Sequence, residues 1–91
     1  MSVRVQLPPL LRGLMQGERW IEAEGDTIGA ALADFGKRNP AIALHIFDEQ
    51  GTFRHNIVFI HNGEIIRAKK AAAHALKPGD EVVLTTALAG G

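Results

Sequence analysis

The segment Leu88-Ala89-Gly90-Gly91 carries the group best placed for chemistry, the carboxylate of Gly91. Glycine at both final positions removes the β-carbons that would collide with a narrow channel and opens backbone angles closed to other residues. Four extended residues reach roughly 13 Å at about 3.3 Å each, enough to cross the wall of another protein's closed site. A free carboxylate is a poor acyl donor at neutral pH, so this group must be activated elsewhere. The remaining reactive side chains offer less. His45, His55, His61 and His74 form no close HxxxH or HxH pair with a neighbouring carboxylate of the kind a zinc site needs, and are read as ordinary surface or strand residues. Arg67, Lys69 and Lys70 make a small basic cluster better read as a solvated face than as a phosphate contact. Trp20 reads as a half-buried packing residue. Thr85 and Thr86 lack the Asp and His partners of an activated nucleophile, and Gly25 and Gly29 form no phosphate-cradling motif. With no acid, base and nucleophile set in view, the chain is not expected to be an enzyme in its own right.

A chain of 91 residues has room for one domain, and at that size roughly 60 to 65% of the unfolded surface is buried. Hydrophobic residues at 46% and charged residues at 22% fit a folded globular protein. Ten Lys and Arg balance ten Asp and Glu, so no net field draws the protein to nucleic acid or an anionic membrane. Cysteine is absent, which removes disulfides, thiolate metal sites and cysteine nucleophiles and agrees with a reducing compartment. The opening residues have no signal-peptide pattern, and no apolar run approaches a membrane span, so the expected location is the cytoplasm.

The elements that must position the tail follow from local pattern. Val3, Val5 and Leu7 alternate with Arg4 and Gln6, as in a strand with one buried face, and Pro8-Pro9 ends it. Leu10 to Gly17 reads as a loop and Glu18 to Glu24 as a second strand, paired with the first in a hairpin. Gly25-Asp26-Thr27 supplies an N-cap. A helix follows, with Ile28, Ala31, Leu32 and Phe35 on one apolar stripe, and it stops at Gly36, Asn39 and Pro40. Ala41 to Phe47 suits a short helix or an irregular packed segment equally, and Asp48-Glu49-Gln50-Gly51 turns the chain. Ile57-Val58-Phe59-Ile60, inside the strand from Arg54 to His61, is apolar on both faces. Asn62-Gly63 predicts a type I′ turn into a return strand at Glu64-Ile65-Ile66. Ala68 to Leu76 is a helix-friendly connection, Lys77-Pro78-Gly79-Asp80 suits a type II turn, and Glu81 to Ala87 is the last strand. This order is an α+β plan of about five strands in a mixed sheet under a covering helix. A right-handed crossover puts the first and last strands side by side and parallel. The domain is then 1–87, with 88–91 as a flexible tail leaving the middle of the sheet.

This order and ending resemble the MoaD/ThiS family of sulfur carriers, β-grasp proteins related to ubiquitin. The residues that carry the likeness are Gly25-Asp26-Thr27, Asn62-Gly63-Glu64, Lys77-Pro78-Gly79-Asp80-Glu81-Val82 and Ala87-Leu88-Ala89-Gly90-Gly91. The chain looks closest to the MoaD-like branch that includes the cysteine-biosynthesis carrier CysO. The resemblance implies that an E1-like enzyme of the MoaB/ThiF type, using ATP and Mg, adenylates the Gly91 carboxylate. Sulfide equivalents then displace AMP and leave a thiocarboxylate, with Gly90 as the slim neighbour. It also implies a downstream sulfur-accepting enzyme, in the biosynthesis of cysteine, molybdopterin, thiamin or a secondary metabolite. The chain itself binds no cofactor and supplies no catalytic side chain. Two other readings stand beside this one: a ubiquitin-like modifier joined to lysines through Gly91, and a non-covalent β-grasp binding module. Whichever of the pairs Ile57/Phe59 or Val58/Ile60 points away from the helix should form an apolar patch, either docking the E1-like enzyme or covered by connecting segments or a homodimer contact, and Leu88 is a further docking candidate near the tail.

Overall fold

In a computed structural model, which describes residues 2–86, the strands are β1 (Ser2–Gln6), β2 (Trp20–Glu24), β3 (Ile57–His61), β4 (Glu64–Arg67) and β5 (Glu81–Thr86). The helices are α1 (Pro9–Arg12), α2 (Ile28–Arg38), α3 (Pro40–Ile46) and α4 (Ala68–Ala71), with a 3₁₀ turn at Gly13–Met15. The strands form one sheet in the order β2-β1-β5-β3-β4. β1 and β5 run parallel, Val5 opposite Val82, and every other pairing is antiparallel. The last strand is therefore central, held by β1 on one side and β3 on the other, and it lies beside and parallel to the first as expected.

Alternation along the strands divides the sheet's residues between two faces. Val3, Val5, Ile21, Ala23, Ile57, Phe59, Ile66, Val82 and Leu84 are buried, and they meet Ile28, Ala31, Leu32 and Phe35 of α2 in one core. The expected helical stripe is thus the buried stripe, residue for residue. Phe47, Phe53 and Phe59 extend this core, with ring centroids 5.0 Å and then 5.1 Å apart. α2 gives way to α3 at Asn39, whose backbone leaves the helical region (φ −137°, ψ 72°). Pro40 opens α3, where a missing N–H costs nothing. Ile42 and Ile46, four apart, are buried, so the expected segment Ala41 to Phe47 is helix as far as Ile46, and Phe47 is its extended C-cap.

Four expectations shift, the first being that the strand expected from Arg54 begins only at Ile57, after a turn at His55 and Asn56. Leu10 to Gly17 is not a plain loop: Pro9 starts α1 at its first turn and Leu11 is drawn into the core. Gln16 (φ 56°) and Gly17 then reverse the chain, so β2 begins at Trp20 rather than Glu18. In the 68–76 connection only Ala68–Ala71 is helical. Its later residues serve another element, because the Ala72 and His74 carbonyls accept the Ile28 and Gly29 amides at 3.2 and 3.0 Å, respectively for Gly29 and Ile28. The Asn62-Gly63 turn is as expected, both residues having positive φ (53° and 80°). The expected tail, 88–91, and Ala87 lie outside the described residues.

Candidate docking face and tail base

β5 is the last described element, and Ala87 to Gly91 follow it in the sequence. Its start is fixed by the Lys77–Asp80 turn, where the Asp80 amide donates to the Lys77 carbonyl at 3.0 Å. The Gly79 amide reaches the Ser2 carbonyl at 2.8 Å, and the Arg4 amide reaches the Asp80 carbonyl at 2.9 Å. β5 is therefore paired with β1 from Glu81 to Val83 and with β3 from Val83 to Thr86, which lies opposite Ile57. Leu10, Leu11, Leu44 and Arg54 line a small cleft beside Thr86, with Leu10 and Leu44 largely exposed. Leu88, Gly90 and Gly91, the sequence's candidates for the activated end, lie outside the described residues.

The open face of the sheet follows from the register. Ile60 faces Ile65 on one side and Val83 on the other, while Val58 faces Arg67 and Thr85. Of the four apolar residues named as docking candidates, Ile57 and Phe59 are in the core and offer no surface. Val58 and Ile60 are the outward pair. Val58 is absent from the core cluster yet only 8% exposed, so Ile60, 36% exposed, is the member of the pair that offers surface. Ile65, 64% exposed, completes the apolar strip and was not among the candidates because a short return strand does not reveal its outward face from three residues. Farther across this face Arg4 stacks over Trp20, 4.5 Å from the ring centroid, and pairs with Glu81 at 2.7 Å. Trp20 is half-buried, as its sequence context suggests.

The histidines do not all behave as isolated surface groups. His61, the one buried polar side chain among the described residues, is 8% exposed. Its Nδ1 lies 2.9 Å from Nε2 of His74, and its Nε2 lies 2.9 Å from Oδ2 of Asp80. That oxygen also accepts the Lys77 amide at 2.9 Å. The Lys77 N–H holds the Asp80 carboxyl below its ordinary pKa against the opposing effect of partial burial, with help from His61. The three residues are 13 and 19 positions apart along the chain. No local spacing links them; only the position of His61 just before Asn62-Gly63 and of Asp80 just before the last strand hinted at proximity. Among the described residues no group of three His, Cys, Asp or Glu side chains is arranged to hold a metal ion.

The ThiS family model matches residues 5–91. The sulfur carrier protein CysO of Mycobacterium bovis is 33% identical over 93 residues, covering all of both chains, and that of Mycobacterium tuberculosis matches equally. Among solved structures, small archaeal modifier protein 1 of Haloferax volcanii superposes with a TM-score of 0.79 at 28% identity, covering 100% of both chains. The Amycolatopsis orientalis BexX/CysO complex contains a chain that superposes with a TM-score of 0.78 at 27% identity. That match covers 98% of this chain and 99% of the other. These neighbours share the ubiquitin-like β-grasp fold described above, a mixed five-stranded sheet with β1 and β5 parallel and adjacent.

Proposed function

The chain belongs to the ThiS family, and from that premise we propose that it is a sulfur carrier whose Gly91 carboxylate is activated and thiolated by a partner enzyme. The observation that carries this reading is the central β5, paired with β1 through Val83 and with β3 on to Thr86, beyond which Leu88-Ala89-Gly90-Gly91 follows in the sequence inside the family match. A rigid platform with a slim terminal segment suits delivery of one carboxylate into a site held by another protein.

In the proposed sequence an E1-like enzyme with Mg and ATP joins the Gly91 carboxylate to AMP, releasing pyrophosphate. A sulfide equivalent then attacks the acyl carbon; the C–S bond forms, the bond to AMP breaks, and a thiocarboxylate remains. A downstream enzyme takes the sulfur for biosynthesis and returns the carboxylate. This chain's part is to bind, present and release, so it is a co-substrate rather than an enzyme, acting in the cytoplasm. The strip Val58, Ile60 and Ile65 is the proposed docking face for the adenylating enzyme. The complex of the similar CysO with BexX in Amycolatopsis orientalis supports a protein partner for this chain.

Intact mass spectrometry after incubation with the adenylating partner, Mg-ATP and a sulfur source tests the reading. Exchange of one oxygen for sulfur, abolished by deletion of Gly91, is expected; an unchanged mass overturns it. The likeness to small archaeal modifier protein 1 favours one second reading, conjugation to lysines through the same adenylate. Lysine-linked adducts in cell extract, in place of the thiocarboxylate, would establish that alternative.

A further inference from the structure

The first turn of α2 has four amides with no partner earlier in the helix, and the chain meets them from two directions. The Thr27 hydroxyl serves one of them, accepting from Ala30 at 3.0 Å, while the Thr27 carbonyl takes the first bond of the helix ladder, from Ala31. Ile28 and Gly29 donate to the carbonyls of His74 and Ala72, more than forty residues later in the chain. Leu76 returns the contact, its amide donating to the Asp26 carbonyl at 2.9 Å, and Thr27 and Ala75 form an isolated bridge. Residues 72–76 are thus a strap across the helix N-terminus. Gly29 lets the strap lie flat, since a β-carbon there would come 2.6 Å from the Ala72 carbonyl oxygen.

The strap's side-chain anchor is His74, and its hydrogen bond has a restricted proton inventory. The ionised Asp80 carboxylate only accepts, so His61 Nε2 carries a hydrogen. When both rings are neutral, His61 Nδ1 is then a lone pair and His74 Nε2 must be the donor. One added proton is tolerated: it sits on His74 Nδ1, or on His61 Nδ1 with His74 changing tautomer to accept. Two added protons are not tolerated. Each facing nitrogen would then bear a hydrogen, N–H against N–H at 2.9 Å, with both rings cationic.

We propose that His61, His74 and Asp80 form a proton-sensitive latch that holds the strap 72–76 on the N-terminus of α2 while the histidine pair carries at most one proton, and frees it when the pair carries two. The charged groups around the pair come from several elements. Asp80 holds His61 Nε2, Lys77 lies in the turn before it, and Arg67 of β4 and Lys69 and Lys70 of α4 line a groove with His74. Glu64 stands opposite His61 in the β3–β4 register, and Asp26 meets the far end of the strap. Release of His74 withdraws two carbonyls from α2 and leaves the β1–β5–β3 platform of the tail intact, because none of its ladder bonds involves residues 72–76.

Amide hydrogen exchange on the full chain, corrected for intrinsic rates and compared at about pH 7.5 and about pH 4.5, reads the latch directly. Ile28, Gly29 and Leu76 are expected to lose about tenfold in protection on acidification while Phe59 and Val82 keep theirs. His74→Gln keeps a side-chain N–H for His61 Nδ1 and cannot titrate, so in H74Q the three amides should hold the same protection at both pH values. Unchanged protection in the wild type overturns the proposal, and so does an undiminished loss in H74Q. Should H74Q fail to fold, ¹⁵N shifts of the imidazole nitrogens in alkaline buffer decide. Both rings as the Nε2–H tautomer support the latch, and His61 as the Nδ1–H tautomer overturns it.

Discussion

Adjacent residues of β3 meet opposite fates, which makes single substitutions informative. Ile57 sits in the core beside Leu84 and Phe59, while Ile60 lies on the open face between Ile65 and Val83. An aspartate at position 57 would be a buried charge without a partner, a cost that marginal stability does not absorb. Ile57→Asp is therefore expected to abolish the cooperative urea transition. Ile60→Asp should leave stability within about 0.5 kcal/mol, yet weaken binding to the adenylating enzyme in a calorimetric titration. Equal binding by Ile60→Asp and wild type would remove the sheet face from the docking model. Gly29 is constrained just as sharply. Its missing β-carbon is the space occupied by the Ala72 backbone, and Gly29→Ala should cost about 1–3 kcal/mol, as overpacking does. Urea denaturation measures that loss, and exchange at Leu76 reports whether the strap has lifted.

At the scale of elements, α2 depends on caps of two kinds, and they differ in how they can be read. Thr27 precedes its own apolar stripe, so the sequence marks it; Thr27→Ala should lower stability by about 1 kcal/mol through loss of the bond to Ala30. An unchanged urea midpoint would mean that the strap alone satisfies the first turn. The strap itself has no local signature. Ala68 to Leu76 has the composition of a helix, and it yields only one helical turn because the backbone amides of α2 claim its carbonyls. Tertiary demand overrides propensity there. The same division runs through the rest of the chain. Features set by near neighbours, such as the period-two alternation of Val3 and Val5, the Asn62-Gly63 turn and the Ile28 to Phe35 stripe, are legible. The parallel seating of β5 beside β1 follows from topology rules. What sequence spacing leaves dark is any grouping assembled across the fold: the His61–His74–Asp80 chain, the burial of Leu11 by a short helix, and the choice of Val58 and Ile60 over Ile57 and Phe59 as the outward pair. Alternation alone says that the two pairs differ, and only the placement of the helix says which is covered.

For the molecule as a whole, three aspartates tie stability to pH with a definite sign. Asp34 is held below its ordinary pKa first by the Glu24 amide and then by Arg38, 2.9 Å away. Asp48 is held down first by the Thr52 hydroxyl, against partial desolvation, and then by the Thr52 and Gln50 amides. Asp80 is held down first by the Lys77 amide. Each carboxyl binds a proton less readily in the fold than in the unfolded chain, whose aspartates titrate near about 3.9. Below that value the unfolded chain gains protons that the fold refuses, so stability falls as acid is added. The contribution is complete above the unfolded value and disappears as pH drops through the lowered folded values. The urea midpoint should therefore decline steeply below about pH 4. In H74Q the decline below about pH 4 should persist, since all three aspartates remain. Adding Asp48→Asn to H74Q should make the acid decline shallower, since an asparagine oxygen still accepts from the Gln50 and Thr52 amides but takes up no proton. An acid decline in the double variant as steep as that in H74Q would assign the acid sensitivity to other groups.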